Sequence, residues 1–422
     1  MFLVGYPHVE RTSTGIHDPL YASALYLSND EESILCISTD LLFVHHQLAA
    51  DCRQRICRKT RVPAENIMIS ATHTHSAPVT CSVLAWQGDP IVPPPDPEYL
   101  KQVSEGIVTA GVQAVENASP AELASTFAAV DGVGCNRLDP DGPRDPDAGI
   151  LVVRRSSDKC VTALQVCYSM HPTVIHEDIT QVTSDFPGFC RRSLESEFPH
   201  AMVIYHTGPC GNLSPRHHVR NQTFDEADRL GFRLADCINK ALSRIPDTAF
   251  SSDPEIRAAT KQCELTARKF VSVNAARDHL EEAQKKYARL KNSNAPRPRV
   301  RTAECELFGA EEQVTLASAQ ADGQIARLHK EYLHAEIQVL RAGDTFLACF
   351  PGELFVEYAL ELKSSAGKDV FPVSLANGEL QGYITTPDAS GYEASLSMFT
   401  PESGSRMIQT ALNLITDGQC RN

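Results

Sequence analysis

The stretch IMISATHTHSAP (67–78) sets two histidines, His73 and His75, one residue apart behind an apolar run. Imidazole is the commonest protein metal ligand and general base. In an extended chain positions two apart point the same way, so both rings are expected to lean toward one spot. Read alone, the pair also fits two surface histidines in a Thr/Ser-rich turn. Other apolar runs end in a similar way. QVCYSMHPT (165–173) reaches His171 just before Pro172, and FLACFPGE (346–353) reaches Glu353 through a Pro-Gly turn. Glu353 fits either a helix N-terminus favoured by the dipole or the carboxylate of a His₂-carboxylate zinc site. MVIYHTGPCGNLSP (202–215) passes His206 and Cys210 to Ser214 through Gly208 and Gly211. This is not a G-x-S-x-G elbow, so Ser214 also reads as a turn serine capping its neighbours. Tyr383 and Tyr392 stand in LQGYITTPDASGYEASLS (380–397), where a phenol can pack, ligate a metal or donate to an oxyanion.

The elements that must position these groups can be read from hydrophobic periodicity. Strands are expected at 33–39, 66–72, 148–154, 161–168, 201–206, 334–340 and 345–350. Helices are expected at 46–60, 98–117, 186–198, 223–244 and near 401–416. A charged helix at 272–292, a break at 293–301 and a second helix from about 309 to 331 read as a helical hairpin inserted into the sheet. The alternation predicts an α/β fold with a mixed sheet core, flanking helices and that insertion. Such sheets carry their sites at strand C-termini, which is where the histidines fall. The Pro-rich DPIVPPPDPEYL (89–100) is expected either to wall the site or to act as a rigid connector, with Pro97 opening a helix.

Composition narrows the function. A 42% hydrophobic, 22% charged chain is that of an ordinary globular protein. Its 39 basic and 53 acidic residues give a formal charge of −14, which disfavours nucleic acid and anionic membrane as main partners. No apolar run approaches the ~20 residues of a membrane span, and no signal peptide is visible at the N-terminus. The 14 cysteines, from Cys36 to Cys420, form no C-x-x-C pair and read as reduced thiols of a cytoplasmic protein.

In order along the chain, SATHTHSAP, CNR, MHPT, GNLSP, PGE and YITT…GYEAS resemble the catalytic domain of the neutral/alkaline non-lysosomal ceramidases, from about residue 15 to the C-terminus. The resemblance implies that His73, His171, Glu353 and Tyr383 hold Zn²⁺. It implies catalytic roles for His75, Arg137, Ser214 and Tyr392, with Arg137 holding the substrate carbonyl or the developing oxyanion. Three departures accompany it. Asn212 replaces the aspartate of the family's Gly-Asp-x-Ser-Pro, and the tyrosine loop is short and lacks paired glutamates. There is also no room for the C-terminal immunoglobulin-like domain, so residues 1–422 are expected to form a single catalytic domain with its helical insertion at about 270–331.

The reading is therefore a zinc-dependent amidohydrolase acting on a small, soluble N-acyl substrate rather than ceramide. An esterase or lactonase with the same zinc site is the nearest alternative. A non-catalytic zinc-containing binding protein and a cysteine hydrolase built on Cys210 and His206 are the others.

Overall fold

The structure, a computed structural model, describes residues 1–6, 8–367 and 369–417; Cys420 lies outside the described residues. Strands Ala22–Ser28, Ser33–Thr39 and Ile67–Ala71 form one sheet, with the last two parallel. Strands Ala121–Ala129, Asp147–Arg155, Val161–Tyr168 and Met202–Thr207 form a second, in which the last two are parallel. Strands Ile256–Glu264, His334–Ala342, Thr345–Cys349 and Asp369–Val373 form a third, again with a parallel final pair.

Alternate residues of each central strand face different layers, which explains why the strands read as continuous apolar runs. Ile34, Cys36, Met68, Leu340 and Leu347 pack against Leu151, Val153, Cys167 and Ile204 in a core between the sheets. Their neighbours Leu35, Ile37, Ile69, Val339 and Phe346 face the opposite way, into a core that includes Ile56, Ile107 and Met407 from helices His46–Thr60, Pro97–Glu116 and Glu402–Asp417. Val152, Leu164, Val166 and Val203 pack on the far side against helices Asp185–Glu197 and Phe224–Leu242. The first and third sheets are stitched into one layer by Asn377. Its backbone and side chain bond both polar groups of Ile69, at 2.7 and 2.9 Å, and its amide donates to Gln338 at 3.0 Å.

The expected elements appear close to their expected bounds. Among the described residues four strands of five or more residues are additional: Ala22–Ser28, Ala121–Ala129, Ile256–Glu264 and Asp369–Val373. Each lies at a sheet edge; the first three are part-exposed with weak apolar alternation, and the last, buried except at Asp369, carries Pro372, which an edge tolerates. The helical insertion spans the connection between two antiparallel neighbours, Ile256–Glu264 and His334–Ala342, and is closed at its base by Leu265 N–H donating to Leu333 O. Its second helix begins at Arg297 rather than 309. A proline in a helix's first turn forfeits only an N–H that has no intrahelical partner anyway, so the prolines there open the helix instead of breaking it.

The space between the sheets is tight. A Cβ on Gly149 would sit 2.3 Å from the ring of Phe371, which is itself buried. Gly149→Ala should therefore lower unfolding stability by about 1–3 kcal/mol, as overpacking of a filled core does. Urea melts should show a lower midpoint with an unchanged slope, and Phe371→Leu in the same chain should restore part of the loss.

Candidate active site

The parallel strands of the three sheets all end on one side, and the polar residues gather there. Thr207 Oγ1 donates to Thr72 O at 2.7 Å and Ser374 N–H donates to Thr207 O at 2.9 Å, tying the three strand ends together. His73 follows Ile67–Ala71 in a left-handed conformation, φ 68°, with its N–H on Leu41 O. The convergence of His73 and His75 therefore arises from a kinked turn, not from the extended alternation expected from their spacing.

His73 Nδ1 lies 2.9 Å from Leu42 O, and His171 Nδ1 lies 2.7 Å from Cys210 O. A carbonyl only accepts, so both Nδ1 atoms carry protons, and in the neutral form of each ring Nε2 is the lone-pair atom. Those two Nε2 atoms are 3.0 Å apart, and Glu353 Oε2 lies 3.2 Å from one and 3.4 Å from the other. All three residues are buried. A single proton can bridge two of these acceptors, whereas one metal cation satisfies all three. Nitrogen and oxygen ligands at about 2.0–2.1 Å in a tetrahedral zinc shell are about 3.3–3.4 Å apart, close to the spacing found here. The carbonyls on Nδ1 are the orienting partners that ligating histidines require.

Charge follows the same geometry. Burial pushes the Glu353 carboxyl up, but a positive charge on His73 or His171 overcomes it and holds the group well below the usual carboxylate range, so the carboxylate calls for a cation among these three groups. Burial, with the nearby charges of Arg137 and His73, lowers His171 to about 4 despite Glu353. His75 is pushed well below its ordinary value by burial, then by His73 and His171, and is a neutral ring at pH 7. It joins His73 and His171 in one cluster whose nitrogens lie within 4.8 Å of one another. Neither of its ring nitrogens has a hydrogen-bond partner. Gly5, at φ 120°, packs so closely on the ring that a Cβ there would come within 2.6 Å, and Arg11 holds the His75 carbonyl at 2.6 Å.

Arg137 is largely enclosed beside the cluster, its side chain 10% exposed, its Nε 2.5 Å from Glu393 and its Nη2 donating to the Tyr383 hydroxyl at 3.2 Å. Tyr383 pairs in register with Glu353 in a short parallel ladder, and its ring meets that of Tyr392 edge-on at 6.0 Å. Glu393 escaped the sequence reading, its one signal being its place after Tyr392 in GYEAS. His73, His75, Glu353, Tyr383 and Tyr392 open on a narrow cleft of about 40 Å³, lined on its apolar side by Leu42, Phe43, Trp86 and Leu396. The wall on that side is Val83–Trp86, not the prolines that follow.

Ser214 is buried, and its hydroxyl accepts the Arg216 N–H at 3.2 Å, the capping role open to it from the sequence. It sits on a two-residue strand paired with Cys135–Asn136, immediately before Arg137. Asn212 accepts the Val356 N–H at 2.9 Å and donates to both Glu357 oxygens, at 2.8 and 3.1 Å. An aspartate here would face Glu357 charge to charge, so the replacement is matched to its neighbour. A thiol–imidazole pair is not formed. Both ring nitrogens of His206 are taken by Ser70 at 2.7 Å and Gln165 at 3.0 Å, and burial pushes the Cys210 thiol well up.

Residues 1–208 match the family described as "Neutral/alkaline non-lysosomal ceramidase, N-terminal", a segment that includes His73, His75, Arg137 and His171. The neutral ceramidases of Drosophila pseudoobscura pseudoobscura and Drosophila melanogaster are each 22% identical over 218 residues, 46% of this chain and 30% of theirs. The chain thus spans about 30% of the length of those curated relatives. Among solved structures, a "Ceramidase complexed with C2" matches with a TM-score of 0.77 at 16% identity, covering 100% of this chain and 73% of that one. The neutral ceramidase from Pseudomonas aeruginosa matches with a TM-score of 0.76 at 17% identity, covering 100% and 72%. Residues 1–208 belong to the neutral/alkaline non-lysosomal ceramidase family, and the chain as a whole carries the ceramidase fold.

Proposed function

We propose that this protein is a zinc-dependent hydrolase of amide bonds in small, soluble N-acyl compounds. The observation that carries the reading is the meeting of His73 Nε2, His171 Nε2 and Glu353 Oε2 at one buried point, three acceptors with no proton donor to share. In this reading those three residues and Tyr383 hold the ion. When bound, zinc supplies a Lewis acid and brings the pKa of a water to near 7.

The chain's own groups supply the rest. Arg137 is fixed on one edge by Glu393 and Tyr383, which aims its remaining N–H groups at charge developing on an acyl oxygen. The Tyr392 hydroxyl, kept protonated because burial pushes it well up, is a second donor on the cleft wall. His75 is neutral with both nitrogens free, so it can accept a proton from water and return it to the leaving amine. Ser214 backs the Arg137 strand and positions it. The cleft is narrow, about 40 Å³, which supports a compact substrate. Among the described residues no helix is long and apolar enough to cross a membrane, and the thirteen cysteines are free thiols, which supports a reducing, cytoplasmic setting.

Purified protein should carry about one zinc per chain, measured by elemental mass spectrometry, and His171→Ala should lose most of it. Full metal content in that variant would overturn the ligand assignment. His75→Ala should retain zinc and lose on the order of 10²–10³ in kcat. Zinc loss in that variant would instead make His75 a ligand.

An imidazole with an ordinary pKa takes up its proton around pH 6.5. The His171 ring does so only as the pH falls toward its lowered value of about 4. In the metal-free protein that ring, followed by NMR, should stay neutral at pH 5.5 and gain its proton between 5 and 4; full protonation by pH 6 would contradict the geometry. Finally, short N-acyl amides should show higher kcat/KM than a long-chain ceramide in micelles. A tenfold or greater preference for the ceramide would restore the lipid substrate, and hydrolysis of matched esters alone would favour the esterase alternative.

A further inference from the structure

One wall of the cleft is contributed by the helical insertion, and it carries a carboxylate that no step above uses. Glu312 lies midway along helix Arg297–Ala321, is 1% exposed, and lines the cleft beside Trp86 and Tyr392. Neither of its oxygens has a well-formed hydrogen bond. The Tyr392 hydroxyl and the Trp86 indole N–H are the donors it faces, and His8 Nε2 stands off at 3.8 Å.

The burial is enforced by packing on both sides. Gly309, Glu312 and Thr315 follow one another at intervals of three and share a helix face. A Cβ on Gly309 would come within 3.0 Å of the Tyr392 ring, and a Cβ on Gly88 would collide with Thr315 at 2.2 Å. The helix is therefore seated on the Leu84–Gly88 turn and on helix Tyr392–Leu396, with Glu312 held between them.

The surroundings are acidic. His8 Nδ1 lies 3.4 Å from Asp89 and 3.6 Å from Glu311, so one imidazole serves three carboxylates. The Asp89 oxygens are already engaged, accepting the His8 and Ile91 N–H groups at 2.6 and 2.9 Å. Burial, then Asp89 and Glu311, pushes the Glu312 carboxyl well up, so it is a neutral acid until a cation joins it. A buried carboxyl without a partner is costly unless a ligand completes it. The flanking indole and phenol add faces that attract a cation.

We infer that Glu312, with Trp86 and Tyr392, forms a subsite for a protonated amine, and that the substrate is an N-acyl compound bearing a second, cationic amino group, such as a monoacylated diamine. This rests on the hydrolase reading for turnover but not for binding. Trp86 is the chain's single tryptophan, so its emission reports on the subsite directly.

The test titrates the full-length protein with n-butylammonium chloride and, separately, with 1-butanol, at constant ionic strength, following Trp86 fluorescence. Saturable binding of the ammonium at least about tenfold tighter than the alcohol is expected, and lost in Glu312→Gln, which keeps the shape of the neutral acid. Equal response to the two probes in the unmodified protein overturns the inference without relying on any variant. Turnover is then compared for N-acetyl-1,4-diaminobutane and N-butylacetamide. The cationic amide should be preferred, and Glu312→Gln should reduce that preference on the order of 10²-fold. Ammonium binding with neither amide hydrolysed would sink the hydrolase reading and leave the subsite standing. Hydrolysis without ammonium selectivity would sink the subsite alone.

Discussion

Three acceptor atoms with no donor among them, His73 Nε2, His171 Nε2 and Glu353 Oε2, meet at one buried point, and much of the architecture serves to keep them there. Lone pairs brought this close repel unless a cation lies between them, so the arrangement is maintained by the scaffold rather than by mutual attraction. The scaffold does so with carbonyls. Leu42 and Cys210 fix the two rings by their Nδ1 protons, and each carbonyl belongs to backbone anchored at a neighbouring strand end. Two stacked layers of sheet are needed, because His73 and Glu353 come from one layer and His171 from the other.

Backbone strain collects at the same end of the molecule. His73, Leu375, Asn377, Leu380 and Gln381 all adopt positive φ without being glycine. Each such residue is held against its intrinsic preference by its surroundings, and clusters of them mark sites where a side chain must be aimed. Residues 375–381 cross from the sheet layer to Tyr383, and Asn377 anchors that crossing on Ile69. Asn212 does comparable work after Glu353. It accepts the first N–H of helix Val356–Ala366 and neutralises none of Glu357's charge, yet satisfies both of its oxygens. The aspartate of the related motif would lose both donor bonds, which makes the substitution a coupled change rather than a missing part.

The helical insertion turns an open strand end into a cleft. It replaces what would be a hairpin turn between two antiparallel strands, so it can grow without disturbing their register. Its glycine and small side chains let it approach the Trp86 and Tyr392 segments closely, and the same face delivers Glu312. In the proposed reading the reacting groups stand at the sheet ends, and the insertion adds Glu312 to the wall that faces them.

Much of this was written locally in the chain. Continuous apolar runs set the central strands, amphipathic periodicity set the long helices, and His73, His75, His171 and Glu353 were visible at strand ends because a run that stops on a polar group signals an edge of the core. Three edge strands were obscured by their part-exposed pattern and the fourth, Asp369–Val373, by its proline, and the second insertion helix by prolines that turned out to open it. What only the tertiary structure decided was proximity. His73 and His171 are 98 positions apart, and no spacing rule brings their Nε2 atoms to 3.0 Å. Nor does one set Glu393 on Arg137 or Glu312 against Tyr392. Secondary structure follows from the pattern of neighbouring side chains, whereas a site follows from how buried faces fit across the whole molecule, and that fit is encoded in no single segment.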